Sequence, residues 1–560
     1  MKLLGLAILV AVASSFAAAW PAAGYPHPID PATLRNAIDR VIRSGRVPEA
    51  RWPAFPDVRD AVRALYDRSG SAPLWSDLAL PTASARSMIA TFERAADLGL
   101  SPDDYDASGL RVRARSLETS DEAPTPTALA VFDVMLTVDG LRFVSALHHG
   151  RVSPRVVHAT LDLPRNSFDA AGIVDSLRRT SRAEPLLEAI QPPFLHYRLL
   201  RDALARYLGL ARDTSVVPLP RFGSPLRPGA TYPGAGRLRR LLLAIGDLPD
   251  TMRIPARGDT VYDANLVAAV GRFQRRHGFT ADGVISTMTE RGLREPFGAR
   301  IRQIELTLER WRWMPRTFDA PPVFVNVPAF RLYAFRTMRD EEAELLAMDV
   351  QVGRAFDHRT PLFAASMRYL VFRPFWEVTP TIALREIRPK ARRDPGYLAR
   401  ERLELIQDAG EGAALPATPA NIDRIGLGVR VRQRPGPGNA LGDVKFIFPN
   451  QHNVYLHDTP AKSLFEKPRR DFSHGCIRLS QPLQLAELLL RDQTAWGPER
   501  IRAAMAADHP TQVSLSRPVP VYILYATAMA RENGSVLFYP DLYKHDLELD
   551  HVVQRGYPYQ

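Results

Sequence analysis

The sequence has almost no cysteine. Of its 560 residues only Cys476 is a cysteine, so the chain cannot form an internal disulfide. It also shows no internal repeat of the kind that builds a solenoid. Its 46% hydrophobic and 24% charged residues are ordinary for globular proteins, which excludes wholesale disorder.

The excess positive charge has no concentrated block. Lys and Arg number 73 and Asp and Glu number 61, which gives a formal net charge of +12. Because the basic residues are scattered, the sequence does not support a nucleic-acid partner. A basic balance of this kind favours acidic partners such as anionic lipid or an acidic cell-wall polymer.

Residues 1–19 have the pattern of a signal peptide. Met1 and Lys2 form a short positive region, Leu3–Phe16 is apolar, and small residues end at Ala19, where we expect cleavage. The apolar run is short for a membrane-spanning helix, so an uncleaved anchor is the alternative. In an oxidising compartment an unpaired cysteine indicates a reactive thiol or an intermolecular bridge.

The pattern of apolar residues predicts a multidomain α+β protein, because the chain is too long for one core. Helical spacing predicts a helical scaffold over 27–210 and a small three-helix domain over 237–300, in which Thr287 and Glu290 are expected to form a capping box. The Pro- and Gly-rich segment 211–236 is expected to be a linker. An amphipathic connecting helix is predicted over 301–320.

Alternating apolar residues predict a mainly β domain over 321–530. Within it, about 387–439 is first charged and then rich in Pro and Gly, which suits an inserted lid subdomain. Residues 531–560 are expected to form a C-terminal tail.

The chemistry is concentrated between Tyr455 and Leu479, which reads YLHDTPAKSLFEKPRRDFSHGCIRL. His474 precedes Cys476 by two residues, and His457 lies at the end of a predicted strand. A thiol becomes a useful nucleophile when a nearby base or positive field favours the thiolate. Gly475 allows a tight backbone path, and amides in such a turn can stabilise an oxyanion. The stretch therefore predicts a catalytic cysteine.

Two segments carry a family resemblance. Residues 269–293, AVGRFQRRHGFTADGVISTMTERGL, resemble the small three-helix peptidoglycan-binding domain. The second segment resembles the L,D-transpeptidase (YkuD-type) catalytic domain, and the order of the domains is similar to that of the large Gram-negative YcbB-like enzymes. The residues that match the signature, in order, are His457, Ser473, His474, Gly475, Cys476 and Arg478.

The resemblance implies a role for each matching residue. Cys476 would be the nucleophile and His457 the general base. The backbone amides of His474, Gly475 and Cys476 would form the oxyanion hole. Ser473 belongs to the same turn, and Arg478 and His474 would organise the loop or bind the stem peptide. Asp458 would orient His457 through its main chain or its side chain.

The reaction implied is acyl transfer through a cysteine thioester, which makes 3→3 cross-links between the tetrapeptide stems of peptidoglycan. The implied location is the periplasm, with other cell-wall synthesis proteins as further partners. No metal and no organic cofactor are expected. The thioester chemistry also implies acylation by carbapenem β-lactams.

Several alternatives remain open from the sequence. Water as acceptor would make an L,D-carboxypeptidase, and a lipoprotein lysine would make an anchoring enzyme. A metal site formed by Cys476, His474, His457 and His452 lacks compact ligand pairs. A non-catalytic peptidoglycan-binding protein disagrees with the intact His and Cys. Redox sensing by the lone thiol is the remaining alternative.

Overall fold

The computed structural model describes residues 29–77, 80–120, 122–163, 167–222, 225–249, 260–339, 345–394, 396–408 and 412–559. The expected signal peptide, residues 1–19, lies outside these ranges. No helix in the described ranges combines the length and the apolar character that crossing a membrane requires.

Helices account for most of the N-terminal half, and further helices occur in the C-terminal half. They are α1 Pro31–Ser44, α2 Arg59–Arg68, α3 Ala83–Glu93, α4 Ala107–Thr119, α5 Pro126–His149, α6 Pro154–Val157, α7 Ala170–Leu177, α8 Glu184–Ile190, α9 Leu195–Arg212, α10 Ala235–Ala244, α11 Ala264–Arg276, α12 Thr287–Leu293, α13 Phe297–Arg312, α14 Pro380–Ile382, α15 Arg388–Arg393, α16 Gly396–Arg400, α17 Pro419–Asp423, α18 Pro482–Leu490, α19 Pro498–Ala506 and α20 His545–Arg555.

Strands are concentrated in the C-terminal half. They are β1 Ser76–Asp77, β2 Leu80–Pro81, β3 Val323–Asn326, β4 Arg331–Phe335, β5 Leu345–Gly353, β6 Phe363–Phe372, β7 Trp376–Glu377, β8 Leu403–Gln407, β9 Val429–Gln433, β10 Val444–Ile447, β11 Leu456–His457, β12 Asp471–Ser473, β13 Ile477–Leu479, β14 Thr511–Leu524, β15 Ala528–Ala530 and β16 Val536–Phe538. The predicted multidomain α+β class is confirmed.

The chain divides into two compact units. The first takes Met1–Glu93, Tyr105–Arg142 and Ala170–Ala183, and the second takes Arg94–Asp104, Phe143–Asp169 and Glu184–Gln560. The predicted scaffold range 27–210 is therefore shared between the two units. Composition and periodicity report helices, but they do not report which helices pack together.

A buried carboxylate organises the first unit. Asp133 on α5 accepts hydrogen bonds from the backbone amides of Leu74 and Trp75, each at 2.8 Å, and from the Tyr66 hydroxyl at 2.7 Å. Burial raises the pKa of Asp133, and these hydrogen bonds oppose the rise. Four such partners, Ser76 Oγ included, fix the turn that carries the fully buried Trp75.

The three-helix domain has its own core in the second unit. Leu238, Leu266 and Phe273 lie in this core, and Asp263 caps α11 by accepting from Leu266 N at 2.9 Å. The N-cap of α12 is Ser286, one residue before the expected Thr287, and its side chain accepts a hydrogen bond from Thr289 N. The predicted capping box at Thr287 is therefore wrong by one position.

The segment 211–236 differs from the linker that its composition predicts. Leu219, Leu226 and Tyr232 are buried in the core of the three-helix domain. Leu226 exchanges backbone hydrogen bonds with Ile285, and Tyr262 N donates to Ala230 O at 2.9 Å. The Pro and Gly residues bend the chain around this core, so most of the segment belongs to the domain.

The largest sheet lies within residues 321–530. Among the described strands its order is β12-β5-β13-β11-β10-β6-β14-β3-β4, and an additional pairing of β4 with β5 closes the sheet on itself. Most neighbours are antiparallel, but three pairs are parallel: β11 with β13, β3 with β14, and β12 with β5. The buried faces of these strands form one core that includes Val325, Leu370 and Leu456.

The insertion has a small core of its own. Strands β7, β9 and β8 form a separate three-stranded sheet, and Leu405, Ile422 and Val431 are buried in its core. The predicted start near 387 falls inside a continuous helical segment made of α14, a π-helical turn at Ala383–Ile387, and α15. The insertion therefore begins earlier than its charged composition indicates.

Residues 531–559 are not the tail that we expected. Strand β16 pairs with β15, and helix α20 packs with α13 in the second unit. Val536, Tyr543 and Leu549 are fully buried. In the sequence, the only feature that indicated ordered structure in this segment was its short apolar stretches between charged ones.

Candidate active site

Two parallel strands bring the cysteine and its predicted base to one face of the sheet. Leu456 pairs with Ile477 and His457 with Arg478, and Ile477 N donates to Tyr455 O at 3.1 Å. Side chains alternate along a strand, so Cys476 lies on the same face as Arg478, and therefore on that of His457. The site follows directly from this register.

His457 is held in a defined tautomer. Its Nδ1 lies 2.5 Å from the carbonyl oxygen of Asp458, which only accepts, so Nδ1 carries the proton and Nε2 has a free lone pair. The ring is 4% exposed. Burial, and next the charge of Arg478, lower the pKa of His457 to about 3. The imidazole is therefore a neutral base at ordinary pH.

Asp458 acts on His457 through its main chain. Its carboxylate is occupied elsewhere, because it accepts from Asp443 N at 2.9 Å and from Lys462 Nζ at 2.5 Å. These contacts fix the backbone that presents the Asp458 carbonyl to the imidazole. Of the two routes that the sequence left open, the geometry supports the main-chain one.

The thiol of Cys476 is protonated at rest. Burial raises its pKa, whereas hydrogen bonds with Tyr455 and the charge of Arg478 oppose the rise. The Sγ atom lies 3.7 Å from the carbonyl oxygen of Asn453. Cys476 and His457 are therefore both uncharged at ordinary pH.

Tyr455 is a site residue that sequence reasoning missed. It lies two residues before His457, and its ring centroid is 5.7 Å from that imidazole. Burial and the neighbouring thiol raise its pKa, so the phenol stays neutral and can donate to sulfur. The signal was present, because strand register places Tyr455 opposite Cys476.

The turn that carries Cys476, the predicted nucleophile, is fixed by the side chain of Ser473. Ser473 Oγ donates to Cys476 O at 2.5 Å and accepts from Gly475 N at 3.1 Å. Gly475 has a φ of +117°, a conformation that favours glycine. Because its N–H already binds Ser473, Gly475 contributes less to an oxyanion hole than the resemblance implies.

A second set of hydrogen bonds holds the turn from outside the signature. Thr360 Oγ1 donates to Gly475 O at 2.8 Å and accepts from Gly353 N at 2.9 Å. The hydroxyl of Tyr543 donates to Gly353 O at 2.5 Å and accepts from Thr360 N at 3.2 Å. Thr360 and Tyr543 are positioning residues that no local motif indicated.

His474 is engaged away from the thiol. Its Nε2 donates to Glu386 Oε1 at 2.7 Å, and its ring lies 4.5 Å from that of His358. Glu386 lies in the π-helical turn at the start of the insertion. This contact joins the turn to the insertion, which agrees with a loop-organising role for His474.

Arg478 supplies a buried positive charge. Its Nη1 donates to Gln351 Oε1 at 3.2 Å, whereas its Nε is buried without a hydrogen-bond partner among the described residues. Burial lowers its pKa. Lys445, opposite His457 on β10, and Lys462 add further positive charge near the imidazole. The site therefore favours an acidic ligand.

The metal site considered from the sequence does not form. Within the described ranges, the group of three or more ligating side chains with donor atoms close together is His158, His545 and Glu548. Cys476, His457 and His474 make the separate contacts given above, and the fourth residue, His452, packs its ring 5.0 Å from that of Phe363.

Comparison with known families agrees with this site. Residues 321–521 match a family described as "L,D-transpeptidase catalytic domain", residues 233–291 match "Putative peptidoglycan binding domain", and residues 60–204 match "Scaffold domain". A curated protein of Haemophilus influenzae named "Putative L,D-transpeptidase" is 28% identical over 253 residues. That alignment covers 44% of this chain and 49% of the relative, so the chain spans about half the length of its relative. The chain thus carries a YkuD-type L,D-transpeptidase catalytic domain and a peptidoglycan-binding domain, as the resemblance implied.

Proposed function

We propose that this protein forms 3→3 cross-links between peptidoglycan stem peptides through a thioester on Cys476. The observation that carries the proposal is the parallel pairing of β11 with β13, because it places Cys476, which directly precedes β13, next to the strand pair that holds His457, whose Nε2 is unprotonated. A neutral imidazole beside a thiol is the arrangement that general-base activation of a nucleophile requires.

In the first step the Cys476 proton moves to His457 Nε2, and sulfur attacks the carbonyl carbon of the third, diaminopimelate residue of a donor stem. His457 then returns the proton to the departing nitrogen of D-alanine, and the thioester remains. In the second step an amine of another stem attacks the thioester. Its proton passes through His457 to the leaving sulfur, which regenerates the thiol.

The charge of the site supports an acidic stem peptide as substrate. Arg478, Lys445 and Lys462 surround the buried base, and one Arg478 nitrogen has no hydrogen-bond partner in the described structure. A buried unpaired donor costs free energy that a substrate oxygen can offset. Developing negative charge on the attacked carbonyl gains from the same field.

The location and partners belong to the same proposal. A peptidoglycan-binding domain beside the catalytic domain supports action outside the cytoplasm on the wall polymer. Residues 1–19 would direct export to the periplasm. Other cell-wall synthesis proteins would be the further partners.

The test is the product formed from disaccharide-tetrapeptides by the chain without residues 1–19. We expect cross-linked dimers in mass spectra, and a stable adduct with a carbapenem. Cys476→Ala and His457→Ala should abolish both, whereas His509→Ala should change neither, because His509 is exposed and pairs only with Asp508.

Other products would contradict the proposal in distinct ways. Tripeptides alone would indicate an L,D-carboxypeptidase, and a conjugate formed only when a lysine peptide is supplied would indicate an anchoring enzyme. Dimers formed by Cys476→Ala would overturn the assignment of the nucleophile. A folded protein that retains peptidoglycan but gives neither product nor adduct would be a non-catalytic binding protein.

A further inference from the structure

A second cluster of ligating side chains lies outside the catalytic site. His158, His545 and Glu548 each place a donor atom within 4.8 Å of the other two. All three residues belong to the second unit, and none of them takes part in the chemistry proposed for Cys476.

Two elements supply the cluster. His545 and Glu548 are three residues apart in the first turn of α20, so they lie on one face of the helix. His545 Nδ1 is 2.8 Å from Glu548 Oε2. His158 directly follows α6, and its ring centroid is 4.5 Å from that of His545. Donor atoms around a tetrahedral Zn²⁺ lie about 3.3 Å apart, so binding would draw these side chains somewhat closer together than the 4.8 Å within which they lie here.

His158 is the residue that requires an explanation. It is 5% exposed, and its Nε2 is buried without a hydrogen-bond partner among the residues that the structure describes. A buried polar atom left unpaired lowers the stability of a folded protein. A ring nitrogen in this position has a lone pair that a metal ion can take as its partner.

The surrounding charges are compatible with a cation. Arg310 lies near both imidazoles, but its guanidinium is paired with Asp546 at 2.5 Å and donates to His545 O at 2.9 Å. Arg359 also acts on His545. Glu548 supplies the compensating negative charge, and its exposed side chain gives an ion access from solvent.

We propose that His158, His545 and Glu548 bind one divalent transition-metal ion of the zinc class. Two imidazoles and one carboxylate are a donor set that suits Zn²⁺ and leaves a fourth position to water. The ion would fasten α20 to the segment after α6. Because Tyr543 immediately precedes α20 and binds Gly353, it would also steady the support of the nucleophile turn.

The test uses the untagged chain without residues 1–19, stripped by chelator and carrying Cys476→Ser so that the thiol cannot bind metal. We expect one equivalent of Zn²⁺ by calorimetry, a raised thermal midpoint, and a Co²⁺ absorption spectrum. His545→Ala and Glu548→Gln should each weaken binding by about tenfold or more, since even outer-shell losses cost about 10–100-fold.

The matched control is His509→Ala. His509 is exposed and forms a His–carboxylate pair with Asp508 at 3.0 Å, but it is not part of the cluster. The His509→Ala variant should bind Zn²⁺ with the same affinity as the parent. Equal affinity in Glu548→Gln, His545→Ala and the control, with an unchanged circular dichroism spectrum, would overturn the proposal. So would the absence of a one-equivalent transition in the parent.

Discussion

At the scale of single residues, the feature that sets the chemistry is the order of two pKa values. Burial and the charge of Arg478 lower that of His457 to about 3, whereas burial raises that of Cys476. A thiolate–imidazolium pair at rest would need the opposite order. The proposed mechanism therefore requires proton transfer during attack, and His457 must be unprotonated for it to act as the base.

This order predicts the acidic limit of activity. Protonating His457 removes the base, and its pKa of about 3 lies below the ordinary value of 6.5. The rate of carbapenem acylation should therefore stay level as pH falls through 6.5 and decline only at markedly lower pH. Stopped-flow acylation across buffers from neutral to acidic pH, with mass spectrometry of the adduct, measures this limit.

Removing the charge of Arg478 should shift the acidic limit of activity. Arg478→Met removes a cation that disfavours imidazolium, so the pKa of His457 should rise and the acidic decline should begin at higher pH. Arg491→Met is the control, because Arg491 pairs at the surface with Asp492. An acidic decline centred near 6.5 in the parent protein would contradict the neutral-pair mechanism.

At the scale of elements, the nucleophile turn depends on segments distant in the chain. Thr360, in the loop between β5 and β6, holds the Gly475 carbonyl, and Tyr543, before α20, holds both Thr360 and Gly353. Gly475 adopts its positive φ without strain, but glycine restricts the backbone little, so these hydrogen bonds help to hold the turn in one geometry. Precise placement of a nucleophile is what such outer contacts supply.

Thr360→Val tests this support. It removes the hydroxyl that donates to Gly475 O and accepts from Gly353 N, so kcat should fall by about tenfold or more while KM changes little. Thr360→Ser keeps the hydroxyl and should restore most of kcat. Steady-state kinetics with tetrapeptide donors measure both parameters.

A purely structural role for Thr360 would give a different result. In that case Val and Ser would reduce kcat in proportion to their loss of thermal stability, and KM would not separate from kcat. Equal kcat in the Val variant and the parent would contradict the positioning role.

The residues of the candidate site that are close together in the chain could be predicted from the sequence, whereas the distant residues that support them could not. Ser473 to Arg478 form a contiguous motif, and His457 lies on the adjacent strand. Thr360 and Gly475 are 115 residues apart, and Tyr543 and Gly353 are 190 apart, so no periodicity or motif links them. Tyr455 could have been predicted from the sequence, because strand register alone places it opposite the cysteine.

At the scale of the whole molecule, composition predicted the domains better than their limits. Pro and Gly in 211–236 indicate bends, but Leu219 and Tyr232 in that segment are buried in a core. Segment 531–559 contains many charged residues, but Tyr543 and Leu549 within it are also buried. Burial depends on contacts with distant parts of the chain, and composition carries no record of them.

The C-terminal segment should therefore be essential. A chain ending at residue 530 loses Tyr543 and the apolar face of α20, so we expect loss of carbapenem acylation and a markedly lower thermal midpoint. Tyr543→Phe in the full chain separates the two effects, because it removes only the hydroxyl and should mainly lower kcat. Acylation by the truncated chain at the parent rate would contradict this dependence.

The distance along the chain between Cys476 and Tyr543 also governs when the protein becomes reactive. Synthesis proceeds from the N-terminus at about 5–20 residues per second, so the cysteine precedes its last support by on the order of several seconds. Strand β3 likewise cannot pair with β14, its parallel neighbour from the far end of the same domain, until β14 has been made. On the proposed mechanism the thiol is thus placed for attack only once Tyr543 has been made, and a chain that stops before it carries Cys476 without this support.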